Sequence, residues 1–207
     1  NSAIKWRTSD SKVFSEDIEN FSIKALNQSN TTWLSAVAHQ DIVQDLSVYF
    51  ETIYIIKPQQ KFGTLTLSYD DPSLLGVDRF SAMLGAINHF PNKPLLVIDI
   101  GSAITFDVID KNGLHHGGLI MPGMKALRGS FEKFKTSDLS LGLKGLANNT
   151  DDSWRQGTYA MMIGAINHQI NSFQFNFSDG VVTACGGIVK EIKKELPKSI
   201  ELFDNLV

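Results

Sequence analysis

The chain has 207 residues, of which 43% are hydrophobic and 20% charged, enough apolar content for one large core or two small ones. A formal net charge of -3, with no basic run above the Lys193-Lys194 pair, argues against a nucleic-acid partner. The single cysteine, Cys185, excludes an intramolecular disulfide and a cysteine-built metal site; no apolar stretch is long enough for a bilayer and no secretory leader is visible, so a soluble, cytoplasmic protein without a membrane partner is expected.

Residues 3–7 alternate as a strand does, and Ser9-Asp10 is a turn candidate. The sequence opens inside this pattern, so residues upstream of Asn1 are expected to exist. Val13-Phe14 and residues 21–26 are short apolar patches of undecided type. Residues 32–38 read as a strand. Residues 41–50 follow with Ile42, Val43, Leu46 and Tyr49 at helical spacing, then residues 52–56 as a β-branched strand closed by Pro58. The alternation predicts a small α/β unit.

Residues 65–69 lead into a turn-rich segment that Pro72 and Gly76 keep from being a long helix. A helical pattern then runs through Phe80, Met83, Leu84 and Ile87 to His89. Asp78 stands at its start, either as an ordinary N-terminal helix charge or as a base. Arg79 is correspondingly a surface residue or part of a phosphate clamp. The breaker-rich residues 91–94 mark the expected boundary between two halves, 1–90 and 91–207.

The second half opens on LLVIDIGSAITFDVID, residues 95–110. An aliphatic run ending in Asp99, then Gly101, reads as a buried strand entering a turn where backbone can approach a ligand. With Ser102 and Thr105 nearby, the chemistry suggested is phosphate and hydrated Mg²⁺; an ordinary strand-ending turn is the alternative. Asp110 to Gly113 (DKNG) is a hairpin turn. His115 and His116, as strand neighbours, face opposite ways, and no acidic partner stands at local spacing to make them a metal pair. Gly117-Gly118 and Pro122-Gly123 suggest a loop against a ligand or a packed loop–helix joint.

A helix is predicted over 124–134, followed by a turn-rich segment, 136–149, that is a lid or a surface connection. Asn149 or Thr150 caps the next helix, whose Gly157, Ala160 and Gly164 form a small-residue face suited to close packing in the core or between subunits. Residues 180–187 run as a strand into Gly186-Gly187, and a helix follows to 196; helix N–H groups there suit phosphate, although no Walker A ending is present. Cys185 has no base at recognisable spacing and reads as an apolar filler.

Three of these segments in order resemble the type III pantothenate kinases of the actin-like/sugar-kinase superfamily: YDDPSLLGVDRFSAMLGA (69–86), VIDIGSAITFDVID…GGLIMPG (97–123), and Asn149-Thr150 with the closing Cys185-Gly186-Gly187. Asn1-Ser2 resembles the tail of that family's first phosphate motif. The resemblance implies an α/β fold of duplicated ribonuclease H-like halves, with mixed sheets flanked by helices. It implies phosphorylation of pantothenate by ATP, the first step toward coenzyme A, in a homodimer whose site lies near the subunit interface. Mg²⁺ and a monovalent cation, K⁺ or NH₄⁺, are implied as cofactors. By position, Asp78 is implied as the catalytic base; Tyr69, Gly76, Val77, Asp78, Arg79 and Thr150 as substrate-binding, with Pro72 shaping the pocket; Asn1, Ser2, Gly101, Ser102, Ala103, Gly186 and Gly187 as ATP- or phosphate-binding; and Asp99 as the metal contact. A non-catalytic or transcription-accessory relative, and a phosphotransferase for another small acceptor, are the alternatives that the same motifs leave open.

Overall fold

The computed structural model describes residues 3–8, 12–26, 31–35, 40–134, 140, 145–204 and 206. Asn1, Ser2, the Ser9-Asp10 turn, the end of the predicted 32–38 strand and most of the predicted lid therefore lie outside the described residues.

The N-terminal part is built from small pairings. Strands β1 (Ala3–Arg7) and β2 (Val13–Asp17) form an antiparallel hairpin. Strand β3 (Thr31–Leu34), helix α1 (Gln40–Tyr49) and strand β4 (Thr52–Ile55) follow, β3 and β4 being parallel as a helical crossover requires. The expected strand–helix–strand unit is thus present. Strands β5 (Lys61–Phe62) and β6 (Leu65–Thr66) make a short hairpin.

Helix α2 (Val77–His89) begins where Gly76 ends the turn-rich segment, with Asp78 in its first turn as the sequence predicts. Strands β7 (Leu95–Ile100), β8 (Ala103–Ile109) and β9 (His115–Pro122) then form an antiparallel meander. The Gly117–Pro122 stretch is therefore mostly strand rather than loop; its glycines are accommodated because β9 lies directly across β8, Gly118 opposite Asp107. Gly113 takes a positive φ of 84° in the turn between β8 and β9.

Helix α3 (Met124–Gly129) is shorter than the predicted 124–134. Gly129 is a poor helix former, and the Ser130 hydroxyl donates to the Leu127 carbonyl at 2.7 Å, closing the helix before a short 3₁₀ turn at Glu132–Phe134. Helix α4 (Thr150–Asn176) is 27 residues long, and Asn149 is its cap, its side chain accepting from the Asp152 N–H at 2.9 Å. Strand β10 (Val181–Cys185), helix α5 (Val189–Ile192) and strand β11 (Glu201–Leu202) complete the chain.

One mixed sheet dominates, in the order β11-β10-β7-β8-β9, with β10 parallel to both β7 and β11. Both of its faces are covered, which is why β7 reads as a nearly continuous aliphatic run. Alternation sorts the side chains. Leu96, Ile98, Ile100, Ile104 and Phe106 pack toward α4 through Met162, Ile166, Ile170 and Phe173. Leu95, Val97 and Ile109 pack toward α2 through Phe80, Met83 and Ala86. Each such fully buried side chain contributes about 1.5–3 kcal/mol. The expected small-residue face of α4 is not in this core: Gly157, Ala160 and Gly164 are exposed, and Met161 is 61% exposed while Met162 is buried. Among the described residues, no helix is long and apolar enough to cross a membrane.

Candidate active site

The α2-facing side of the sheet also carries the ionisable residues. Asp99 shares a face with Leu95 and Val97, and Asp107 lies opposite Val97 across the β7–β8 hairpin. Helix α2 brings Asp78 and Arg79 to this face, and β10 brings Cys185 beside Asp99.

Asp99 stands near the end of β7, with its carboxyl partly buried. Burial pushes its pKa up, Lys5 on β1 pulls it partly back, and the nearby Asp78 pushes it up further. Two carboxylates from different elements therefore share one electrostatic environment, with one lysine opposite. Gly186, at φ +113°, folds over this carboxylate; a Cβ there would stand 2.7 Å from Asp99 Oδ1 and collide with the Ile100 carbonyl. Gly76 plays the same part for Asp78, where a Cβ would stand 2.5 Å from Oδ1. The Asp78 carboxylate accepts from the Arg79 backbone N–H at 2.8 Å. Gly101, Ser102 and Ala103 form an exposed turn between β7 and β8, held from behind by Gly123, whose N–H donates to the Ser102 carbonyl at 3.1 Å.

Arg79 is neither a surface residue nor an unengaged clamp. It is 6% exposed, and its Nε and Nη2 donate to the two oxygens of Asp107 at 2.9 and 2.6 Å. Its Nη1 donates to Tyr69 Oη at 3.1 Å. Burial alone would lower the guanidinium pKa, but Asp107 and Tyr69 raise it, so Arg79 stays charged. Asp107 shows the complementary balance: burial raises its pKa, and hydrogen bonds from His115 and Arg79 carry it below the ordinary carboxylate value.

His115 and His116 do face opposite ways: His115 is fully buried, and the side chain of His116 is 45% exposed. Each nevertheless has the acidic partner that local spacing hid. The hairpin sets His115 Nε2 3.0 Å from Asp107 Oδ1, and His116 Nε2 3.4 Å from Asp110 Oδ2. Sequence reasoning missed Asp107, His115 and Lys5. Its available signal for Asp107 was an acid between Phe106 and Val108 in a buried strand, which requires a partner.

Other expected positions fall differently. A groove of about 530 Å³, lined by Leu34, Ile55, Ile56, Leu74, Gly76 and Val77, opens at the start of α2. A second, of about 360 Å³, lies between β9 and α4 on the opposite face of the sheet, away from Asp99. Thr150 is exposed in the first turn of α4; among the described residues, no hydrogen bond or ion pair joins it to Tyr69, Asp78 or Arg79. Gly187 is exposed, and Cys185 is buried in the α2-side core with its thiol pushed up to about 12 by burial and Asp99.

The described residues contain no group of three or more His, Cys, Asp or Glu positioned around a metal ion. What they do contain fits a cation that keeps water and takes phosphate oxygens: a half-buried carboxylate repelled by a second one, beside an exposed small-residue turn. Chemically, the arrangement offers one carboxylate at a helix start, one at a strand end, and glycine backbone close to both.

A family model described as type III pantothenate kinase matches residues 1–172. The chain is 28% identical over 202 residues to the type III pantothenate kinase of Colwellia psychrerythraea, covering 89% of this chain and 81% of that protein. It is 29% identical over 164 residues to that of Xanthomonas campestris pv. campestris, covering 75% and 65%. It is 33% identical over 153 residues to that of Albidiferax ferrireducens, covering 69% and 59%. Against the latter two, the matched region spans less than two thirds of the relative's length. Among solved structures, a conserved candidate transcriptional activator of the Baf family from Campylobacter jejuni superposes with a TM-score of 0.65 at 21% identity, covering 100% of this chain and 89% of that one, a likeness of fold.

Proposed function

The chain belongs to the type III pantothenate kinase family, and from that premise we propose that it transfers the terminal phosphoryl group of ATP to the primary hydroxyl of pantothenate, giving 4'-phosphopantothenate and ADP. The observation that carries this reading is the meeting of Asp78 and Asp99, from α2 and β7, in one electrostatic environment with glycine backbone beside each.

Asp78 orients the acceptor hydroxyl and takes its proton as the oxygen bonds to phosphorus and the bond from phosphorus to the ADP oxygen breaks. A modest carboxylate suffices, because phosphoryl transfer depends mostly on alignment and neutralisation of charge. Gly101, Ser102 and Ala103 on one side, and Gly186 and Gly187 on the other, let the triphosphate approach backbone closely, with Asn1 and Ser2 assigned to the same task. Asp99 would hold the cations, Mg²⁺ and K⁺ or NH₄⁺, whose contribution when bound is to offset phosphate charge. Arg79 and Tyr69 hydrogen-bond the acceptor. Because Asp107 already balances the Arg79 charge, Arg79 acts there as a directed donor more than as a net positive charge.

Two features support a homodimeric site: Thr150 is exposed, with no hydrogen bond or ion pair to Tyr69, Asp78 or Arg79 among the described residues, and α4 carries the exposed Gly157, Ala160, Met161 and Gly164 stripe. On this reading Thr150 reaches the acceptor of a second copy. Duplicated ribonuclease H-like halves, divided near residue 90, are supported by the order of pairings. An antiparallel hairpin and then a parallel pair occur as β1–β2 and β3–β4, and again as β8–β9 and β10–β11. Ser2-Ala3-Ile4 also repeats as Ser102-Ala103-Ile104.

The test is coupled ADP release with pantothenate against a panel of small alcohols and sugars, with and without K⁺. Pantothenate-dependent, K⁺-stimulated ADP release is expected. No such release at high enzyme and ATP overturns the reading in favour of a non-catalytic relative, and turnover of a different alcohol instead reassigns the acceptor.

A further inference from the structure

Tyr69, before α2, and Arg79, in its first turn, are the two residues assigned above to the acceptor, and neither is held by its own element. Arg79 crosses from α2 to β8, where its planar fork takes both oxygens of Asp107, at 2.9 and 2.6 Å. That pairing fixes the guanidinium plane. The remaining arm, Nη1, donates to Tyr69 Oη at 3.1 Å, which directs the Tyr69 proton elsewhere. On the other side of Asp107, His115 Nε2 lies 3.0 Å from Oδ1; since a carboxylate only accepts, Nε2 carries the hydrogen. Ser68 Oγ lies 3.4 Å from the other ring nitrogen. The His115 ring stacks on Tyr69, with centroids 6.0 Å apart and planes 11° from parallel.

We propose, resting on the reading of the site given above, that Asp107 and His115 are a positioning pair that fixes the donor groups of Arg79 and Tyr69 toward the acceptor. Asp107 is 1% exposed and His115 fully buried, so neither touches a substrate; they act through Arg79 by hydrogen bonding and through Tyr69 by stacking. Tyr69 is thereby held at both ends, its hydroxyl by Arg79 and its ring by His115. Gly118 completes the cradle: a Cβ there would stand 2.5 Å from both Arg79 Nη2 and Asp107 Oδ1, so β9 passes over the pair only as bare backbone.

The experiment uses the full chain and three variants. His115→Phe keeps a ring for Tyr69 and deletes the donor; His115→Gln keeps a donor and deletes the ring; Asp107→Asn weakens the fork. Two readouts are taken: KM and kcat for pantothenate, and the ¹H–¹⁵N signal of the Arg79 Nε–H in the ligand-free protein, assigned by its loss in Arg79→Lys. A narrow, slowly exchanging signal is expected in the wild type and an exchange-broadened one in Asp107→Asn. His115→Phe should raise KM roughly tenfold with kcat within about twofold, and His115→Gln should bring KM back to within about threefold of wild type, as expected for one hydrogen bond to a charged group. A purely structural role lowers the folded fraction, so that kcat falls, KM holds, and Phe and Gln behave alike; that result overturns the proposal. An unchanged Arg79 signal in Asp107→Asn overturns it whatever the turnover. If the wild type fails to phosphorylate pantothenate while the Arg79 signals behave as expected, the kinase reading fails and the positioning pair stands.

Discussion

Replacing Gly186 by Ala tests whether the β10–α5 joint is shaped by its approach to Asp99. The residue sits at φ +113°, in the region that costs an L-residue roughly 1–2 kcal/mol. The new Cβ would also stand 2.6 Å from the Ile100 carbonyl carbon, closer still to its oxygen, and 2.7 Å from Asp99 Oδ1. Two of these neighbours are backbone in the central strand, so relief requires moving β7 or β10, a further cost of about 1–3 kcal/mol. Together the two terms give a destabilisation of about 2–5 kcal/mol. At about 2–4 °C per kcal/mol for a chain of this size, the melting temperature should fall by on the order of 5–20 °C. Gly187→Ala is the matched control, since a Cβ there meets nothing within 4 Å; it should change stability by less than about 0.5 kcal/mol. Thermal unfolding followed by circular dichroism measures both, and ADP binding by calorimetry at low temperature reads the nucleotide side. Equal melting temperatures for the two variants would refute the close approach of Gly186 to Asp99 and with it the glycine's place in the phosphate site.

Asp78→Asn should abolish pantothenate-dependent ADP release while leaving the circular dichroism spectrum unchanged; a near wild-type rate rejects the carboxylate as base. In metal-free buffer Asp99→Asn should raise the melting temperature at pH 7. Burial and then Asp78 hold the Asp99 pKa above its unfolded value, so the native state loses stability as pH rises through that interval, and the amide escapes the loss; a lower melting temperature contradicts this. Asp107 has the opposite sign. Its folded pKa is depressed, so its stabilisation is complete above the unfolded value near 4 and is lost as pH falls through the folded one. Urea midpoints between about pH 2 and 5 should fall more steeply in the wild type than in Asp107→Asn. Cys185, buried and with its thiol pushed up to about 12, should resist a disulfide reagent at pH 8 in the native protein and react once unfolded; fast native labelling contradicts its burial.

Elements with a strong period were legible from the residues alone. The α1 pattern, the β4 run, the capped start of α4 and the Asp110–Gly113 turn of the β8–β9 hairpin all lie within a few residues of expectation. Failures came where tertiary pairing or a competing local hydrogen bond decides. Gly117 and Gly118 looked like loop because glycine weakens a strand, yet β8 supplies the ladder that holds them in β9. The 124–134 helix stopped at Gly129, where a local side chain to backbone bond competed with the helix. The small residues of α4 announced close packing without saying against what, and among the described residues a Cβ added at Gly157 or Gly164 meets nothing within 4 Å.

The candidate site divides in the same way. Asp78 and Asp99 could be singled out as candidates because a motif marks each in sequence, at a helix start and a strand end. Asp107 and His115 were not, because they are eight residues apart on different strands and only the hairpin register joins them. That register carries a usable rule. Ile100 pairs with Ile104, so Asp99 pairs with Thr105 and Val97 with Asp107, and all four share the face that α2 covers. Once the turn at Gly101 and Ser102 is recognised, the parity of the two strands places Asp107 in the buried layer beneath α2. A buried carboxylate there must find a cation, and Arg79 is the one charged residue that α2 buries. Arg79 could therefore have been assigned to the interior, and its motif neighbour Asp78 left as the carboxylate at the open end, by sheet geometry and charge balance together.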